Sequence, residues 1–131
     1  MVGATPSTSF TFTGASLTGA PGTITITAPN SGTDYDVSDN GTTWASSFTV
    51  NYSSATLGTT TVYVRFKPTA GNAYTGTSIG ISGGGASTTV NLTGTGVNPP
   101  AISSFSFNTT STTTGYIGSV LTINGTDLGS A

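Results

Sequence analysis

The sequence predicts an all-β fold, a seven-stranded antiparallel β-sandwich with a strand-forming extension at its C-terminal end. Three observations carry this. Apolar residues alternate with Ser and Thr in short runs, the period of a strand with one buried face. Clusters of Gly, Asn and Pro separate the runs at the spacing of a sandwich. Thr and aromatic residues, which suit a pleated and half-buried surface, recur along the chain while charge is nearly absent.

In chain order, Met1 to Ser9 reads as a frayed polar arm. Phe10 and Phe12 mark a first strand, and Gly14 to Gly22 a loop. Ile24 and Ile26 between threonines form a second strand, stopped at Pro29-Asn30-Ser31-Gly32. Tyr35 and Val37 alternate with Asp34, Asp36 and Ser38, which places the two carboxylates on the solvent face of a third strand. Asp39-Asn40-Gly41 contains Asn-Gly, a strong hairpin signal. The return strand puts Trp44, Phe48, Val50 and Tyr52 on one face.

The stretch from Thr59 to Val97 is the most informative. Val62, Val64 and Phe66 face one way, and Tyr63, Arg65 and Lys67 the other, with the only two cations of the chain. Pro68 ends that strand because it has no N–H to give a ladder. Thr69 to Asn72 is a turn. Ile79 and Ile81 share a face in the next strand, Tyr74 falls on the opposite parity, and Gly76 between them is a candidate bulge. Gly83-Gly84-Gly85 is a hairpin loop, and Val90 and Leu92 mark the seventh strand. The predicted core is Phe10, Phe12, Ile24, Ile26, Tyr35, Val37, Trp44, Phe48, Val50, Val62, Val64, Phe66, Ile79, Ile81, Val90 and Leu92.

Several motifs resemble known families. Val64 to Pro68, Tyr74 to Gly76, the Ile79-x-Ile81 strand and Leu92 to Gly96 resemble the second half of bacterial Ig-like surface domains. Such domains repeat in secreted Bacteroidetes and choice-of-anchor proteins, and share the ASH-like sandwich. The resemblance covers about residues 8–97. Asp39-x-Gly41-x-Thr43-Trp44 resembles the Asp-box hairpin. That likeness implies a structural role for Asp39, Gly41 and Trp44, with the Asp39 side chain bracing the turn and Trp44 packed beneath. After Asn98-Pro99-Pro100, a stiff linker, residues 101–131 resemble the opening of an IPT/TIG domain through Ile102 to Phe105 and Gly118 to Gly129. The expected organisation is a sandwich over 1–97, a Pro-rich linker over 98–100, and an incomplete IPT/TIG-like segment over 101–131. That last segment is either part of a neighbouring domain or a tail that pairs with something else.

Composition narrows function further. Charged residues are 5% of the chain, against roughly 25% in ordinary domains. Two cations and a net charge of −2 exclude an electrostatic nucleic-acid binder. The absence of His and Cys removes a Ser-His-Asp triad, a thiol nucleophile and an ordinary zinc site. No run reaches the ~20 apolar residues of a membrane span. Met1-Val2-Gly3 lacks the basic and apolar regions of a signal peptide, so an exported protein would hold this chain as an internal piece.

The four carboxylates are Asp34, Asp36, Asp39 and Asp127. The first three could offer oxygens to Ca²⁺, although carboxylates beside a hairpin more often face solvent or brace the turn. No other cofactor is implied. Tyr63, Arg65 and Lys67 form a candidate binding stripe for a glycan or acidic partner, with a solubilising strand face as the plainer reading.

The expectation is therefore a non-catalytic structural or stalk module of a large secreted or cell-surface, adhesin-like bacterial protein. Its partners would be neighbouring Ig-like domains or other copies, with a glycan or cell-surface ligand as a further possibility. Two alternatives stand beside it: a filament subunit using 101–131 for strand complementation, and a carbohydrate-binding module.

Overall fold

The computed structural model describes residues 6–107, 120–126 and 128. The chain divides into two compact units at Val97/Asn98, each considered by itself. The first contains β1 (Ser7–Gly14), β2 (Gly22–Thr27), a short 3₁₀ turn (Pro29–Gly32), β3 (Tyr35–Ser38), β4 (Ser47–Tyr52), β5 (Leu57–Phe66), β6 (Ala73–Gly83) and β7 (Ala86–Thr95). The second contains β8 (Ala101–Phe107) and β9 (Leu121–Thr126).

The strands of the first unit make two antiparallel sheets, ordered β1-β5-β3 and β4-β2-β6-β7. This is a sandwich with crossovers, not a meander: β1 pairs with β5 and β2 with β6. Both sheets contribute to one core. Ile24, Ile26, Ile79 and Ile81 come from the four-stranded sheet, and Tyr35, Val37, Val62 and Val64 from the three-stranded one. Each of these is buried because strict alternation sends it to the inner face while Thr and Ser go out.

All the expected core residues lie in this cluster or pack against it except Trp44, which has another role. Five positions outside the expected core belong to the cluster or pack against it: Leu17, Ala28, Tyr52, Leu57 and Tyr74. Leu17 lies in the loop before β2 yet is buried. Its N–H donates to the Ala55 carbonyl at 2.9 Å, and the Tyr52 hydroxyl donates to the Thr18 carbonyl at 2.6 Å. Buried backbone needs partners, and these bonds let that loop pass over the end of the core. The first strand also begins earlier than expected. Ser7, Thr8 and Ser9 already pair with Arg65, Val64 and Tyr63, so of the expected arm 1–9 only residues 1–5 lie outside the described residues.

Gly76 is a bulge, and it resolves the parity of Tyr74. The β6–β7 register shifts between Tyr74 and Thr77, and Gly76 has φ +73°. The extra residue returns Tyr74 to the core side, where its ring meets Phe66 edge-on at 5.2 Å while Phe66 stacks on Tyr35 at 4.9 Å. From there the Tyr74 hydroxyl accepts from the N–H of Ala70 at 3.1 Å and of Thr69 at 3.2 Å, bracing the β5–β6 turn. Gly84 and Gly85, at φ +60° and +79°, close the β6–β7 hairpin in the doubly positive geometry that matches strand twist.

In the second unit β8 and β9 form a two-stranded ribbon. Gly118, Ser119, Asp127 and Gly129 of the IPT/TIG-like motif, and most of the Thr-rich run before it, lie outside the described residues.

Gly76→Val is expected to cost about 1–2 kcal/mol, because a β-branched residue resists positive φ. Urea unfolding checks this. An unchanged midpoint would mean that Tyr74 reaches the core without a bulge.

Candidate functional site

Most of the chain's charge gathers at one place, the outer face of β3. This strand has only four residues and lies at a sheet edge, yet all four are buried. Tyr35 and Val37 are buried by the core. Asp36 and Ser38, on the opposite parity, are buried by what covers them from outside.

That cover begins in the hairpin after β3. The Ser38 hydroxyl accepts from the N–H groups of Asn40 and Gly41, the latter at 2.9 Å. The Asn40 side-chain carbonyl accepts from the N–H groups of Thr42 and Thr43 and from the Thr42 hydroxyl, each at 2.8 Å. Ser and Asn favour such local side-chain-to-backbone bonds. The bracing expected of Asp39 therefore falls to its neighbours. Asp39 is exposed, and no hydrogen bond holds it to the turn among the described residues. Gly41, at φ +72°, brings the loop against the ring of Tyr63; a Cβ there would stand 3.3 Å from it. The chain then returns to β3 through the Val37↔Ala45 bridge before joining the other sheet as β4.

Trp44 is not a core residue. It is half-buried on this outer face, with the Arg65 guanidinium 4.8 Å from its ring centre, a cation–π contact. Arg65 lies directly across from Asp36 in the β3–β5 register and donates to its carboxylate. The Lys67 ammonium is 2.9 Å from the other oxygen of the same carboxylate. Asp34 accepts from the Thr69 hydroxyl at 3.0 Å, and its backbone carbonyl accepts from the Lys67 N–H at 2.8 Å.

One expectation is corrected by this arrangement. Asp34 and Asp36 do not lie on a solvent face; they are 8% and 5% exposed. Alternation gave the right side of the strand, but long β5 side chains and the hairpin close over it. Tyr63 and Arg65 of β5 and Lys67 just after it share one side and are half-buried, with Arg65 and Lys67 paired with Asp36, Arg65 over Trp44 and Tyr63 against Gly41.

The electrostatics follow. Burial raises the Asp36 carboxyl pKa, but hydrogen bonds from Arg65 and Lys67, and their charges, pull it down; the sum lies below 3.8. Two carboxylates and two cations balance in the patch. Asp36 is thus fixed as an anion with both oxygens taken, which suits neither proton transfer nor metal ligation. Among the described residues no group of three His, Cys, Asp or Glu could hold a metal ion. Asp127 lies outside them. Also among them, no helix is long and apolar enough to cross a membrane.

Comparison with family models, with curated proteins and with solved structures finds no match for this chain.

Asp36→Asn should destabilise the sandwich by about 2–4 kcal/mol, less than a fully buried pair because both cations are partly exposed. A folded-state pKa below the unfolded value means that the stabilisation is complete above the ordinary carboxyl value of 3.8 and is lost as pH falls through the lowered folded value. Denaturation midpoints from pH 7 to pH 2 should fall at the acid end in the native chain and less steeply in Asp36→Asn. Parallel curves would mean that Asp36 is not held by its cations.

Proposed function

We propose that the chain is a non-catalytic structural module, an Ig-like sandwich with a second strand-forming unit, within a large secreted or cell-surface bacterial protein. The observation that carries this reading is the use of its charge. Asp34, Asp36, Arg65 and Lys67 are all engaged in one cluster on and beside β3 and β5. The remaining surface is largely Ser and Thr, a composition whose hydration changes little with salt or pH. Stiff antiparallel pairing and a short Pro-Pro connection suit a module that spaces or presents something else. The glycan-binding reading is weakened at its candidate stripe, since the Arg65 and Lys67 cations are already paired with Asp36.

A second reading is favoured by a separate observation. Ile102, Leu121 and Ile123 on the β8–β9 ribbon are 64%, 50% and 48% exposed. A two-stranded ribbon is marginal alone in water, and apolar residues exposed along it favour packing against another copy, as in a filament.

The first reading is tested by labelling intact producing cells with an antibody raised against residues 1–97. Labelling without permeabilisation is expected. Labelling only after lysis contradicts a surface location. A saturable thermal shift with Ca²⁺ or with any member of a glycan array would contradict a purely structural role.

A further inference from the structure

We propose that the seam between β1 and β7 is a receiving slot for β8 of a second copy of this chain. This rests on the reading that residues 101–131 serve assembly, and it names the surface they would meet.

The two sheets are unequal. The three-stranded sheet ends at β1 and the four-stranded sheet ends at β7, and among the described residues neither strand has a neighbour on its outer edge. The core is open along this side. Phe10 and Phe12 of β1, and Val90 and Leu92 of β7, point inward but are only half-buried, and Thr88, on the same inward parity, is exposed. Two cavities mark the ends of the seam. One of 240 Å³ lies by Phe12, Leu17 and Thr88, and one of 340 Å³ by Thr8, Val64 and Leu92. Their linings on β7 centre near Ser87 and between Thr93 and Gly94, roughly 20 Å apart and close to the length of a seven-residue strand at ~3.4 Å per residue. β8 has seven residues.

The edges are also undefended. Natural sheets blunt open edges with charge, proline or very short strands. β1, β7, β8 and β9 contain no Asp, Glu, Lys, Arg or Pro. The opposite flank of the three-stranded sheet ends in the four-residue β3 under its charged cover. Neutral, apolar surface is therefore matched by neutral, apolar surface on the ribbon. The β8–β9 register sets Ile102 opposite Gly125, in the same row as Leu121 and Ile123, so these three share one face. Addition of β8 to the free edge of β1 would extend the smaller sheet and lay that face over Val90 and Leu92.

Backbone geometry gives a specific test. The Phe66 N–H donates to the Pro6 carbonyl at 3.0 Å. Alternation along an antiparallel ladder then turns the N–H groups of Ser7, Ser9 and Thr11 away from β5, toward the open edge. Ser9→Pro removes one outward donor and leaves the β1–β5 ladder its bonds.

The experiment measures the mass of the full chain against concentration, for the native sequence and for Ser9→Pro and Thr88→Lys, with amide exchange of Ser9 and Thr11 in the native chain. The expected result is association of the native chain, slowed exchange at those two amides on association, and association weakened at least about tenfold in both variants. Association with unslowed Ser9 and Thr11 amides overturns the slot but leaves assembly standing; this arm needs no variant to fold. A native chain that stays monomeric throughout overturns both the slot and the assembly reading.

Discussion

A single carboxylate held between two cations secures the least robust strand of the sandwich. β3 is four residues long and has one sheet neighbour, β5. Its outer face carries Asp36, and a buried carboxylate is costly unless paired and hydrogen-bonded. Arg65 of β5 and Lys67 just after it supply both pairs, and Trp44 stacks on Arg65. The same place is where the chain crosses between sheets. After the hairpin it returns to β3 at Ala45 and then departs into β4. Loosening β3 would therefore free the connection that ties the two sheets together on that flank.

The two flanks of the sandwich contrast in chemistry. One is closed by charge, a braced hairpin and a bridging residue. The other, between β1 and β7, has neither charge nor proline and leaves inward-facing aromatic and aliphatic residues half-buried. A sheet edge of that kind is normally a liability. Here the same chain also presents an uncharged ribbon with exposed Ile and Leu. The assembly proposed above would join these two features between copies, while the charged flank holds each sandwich together.

Much of the fold is legible in the sequence because period-two alternation is unbroken in most strands. Val62-Val64-Phe66 and Ile24-Ile26 could be placed by parity alone, and Gly76 and Gly84-Gly85 by their backbone freedom. The burial of Leu17 was not legible, since it depends on a loop held by Tyr52 and Ala55, both distant in sequence. Nor was the outer face of β3. Alternation says which side Asp34 and Asp36 occupy; it does not say that β5 lies beside them with Arg65 and Lys67 in register. Trp44 was misplaced for the same reason, as aromatic residues most often fill cores, and only the pairing of β3 with β5 brings a guanidinium to it. The bracing by Ser38 and Asn40 could have been read from Ser-x-Asn before a glycine, a common local turn pattern.

Asp36, Arg65 and Lys67 act as one fastening for β3. A double-mutant cycle with Asp36→Asn, Arg65→Met and the pair, read by urea unfolding at pH 7, measures this directly. The expected coupling is at least about 1 kcal/mol, above that of a typical exposed ion pair. A coupling near zero, with additive single-variant losses, would contradict it and leave β3 held by its core-facing residues alone.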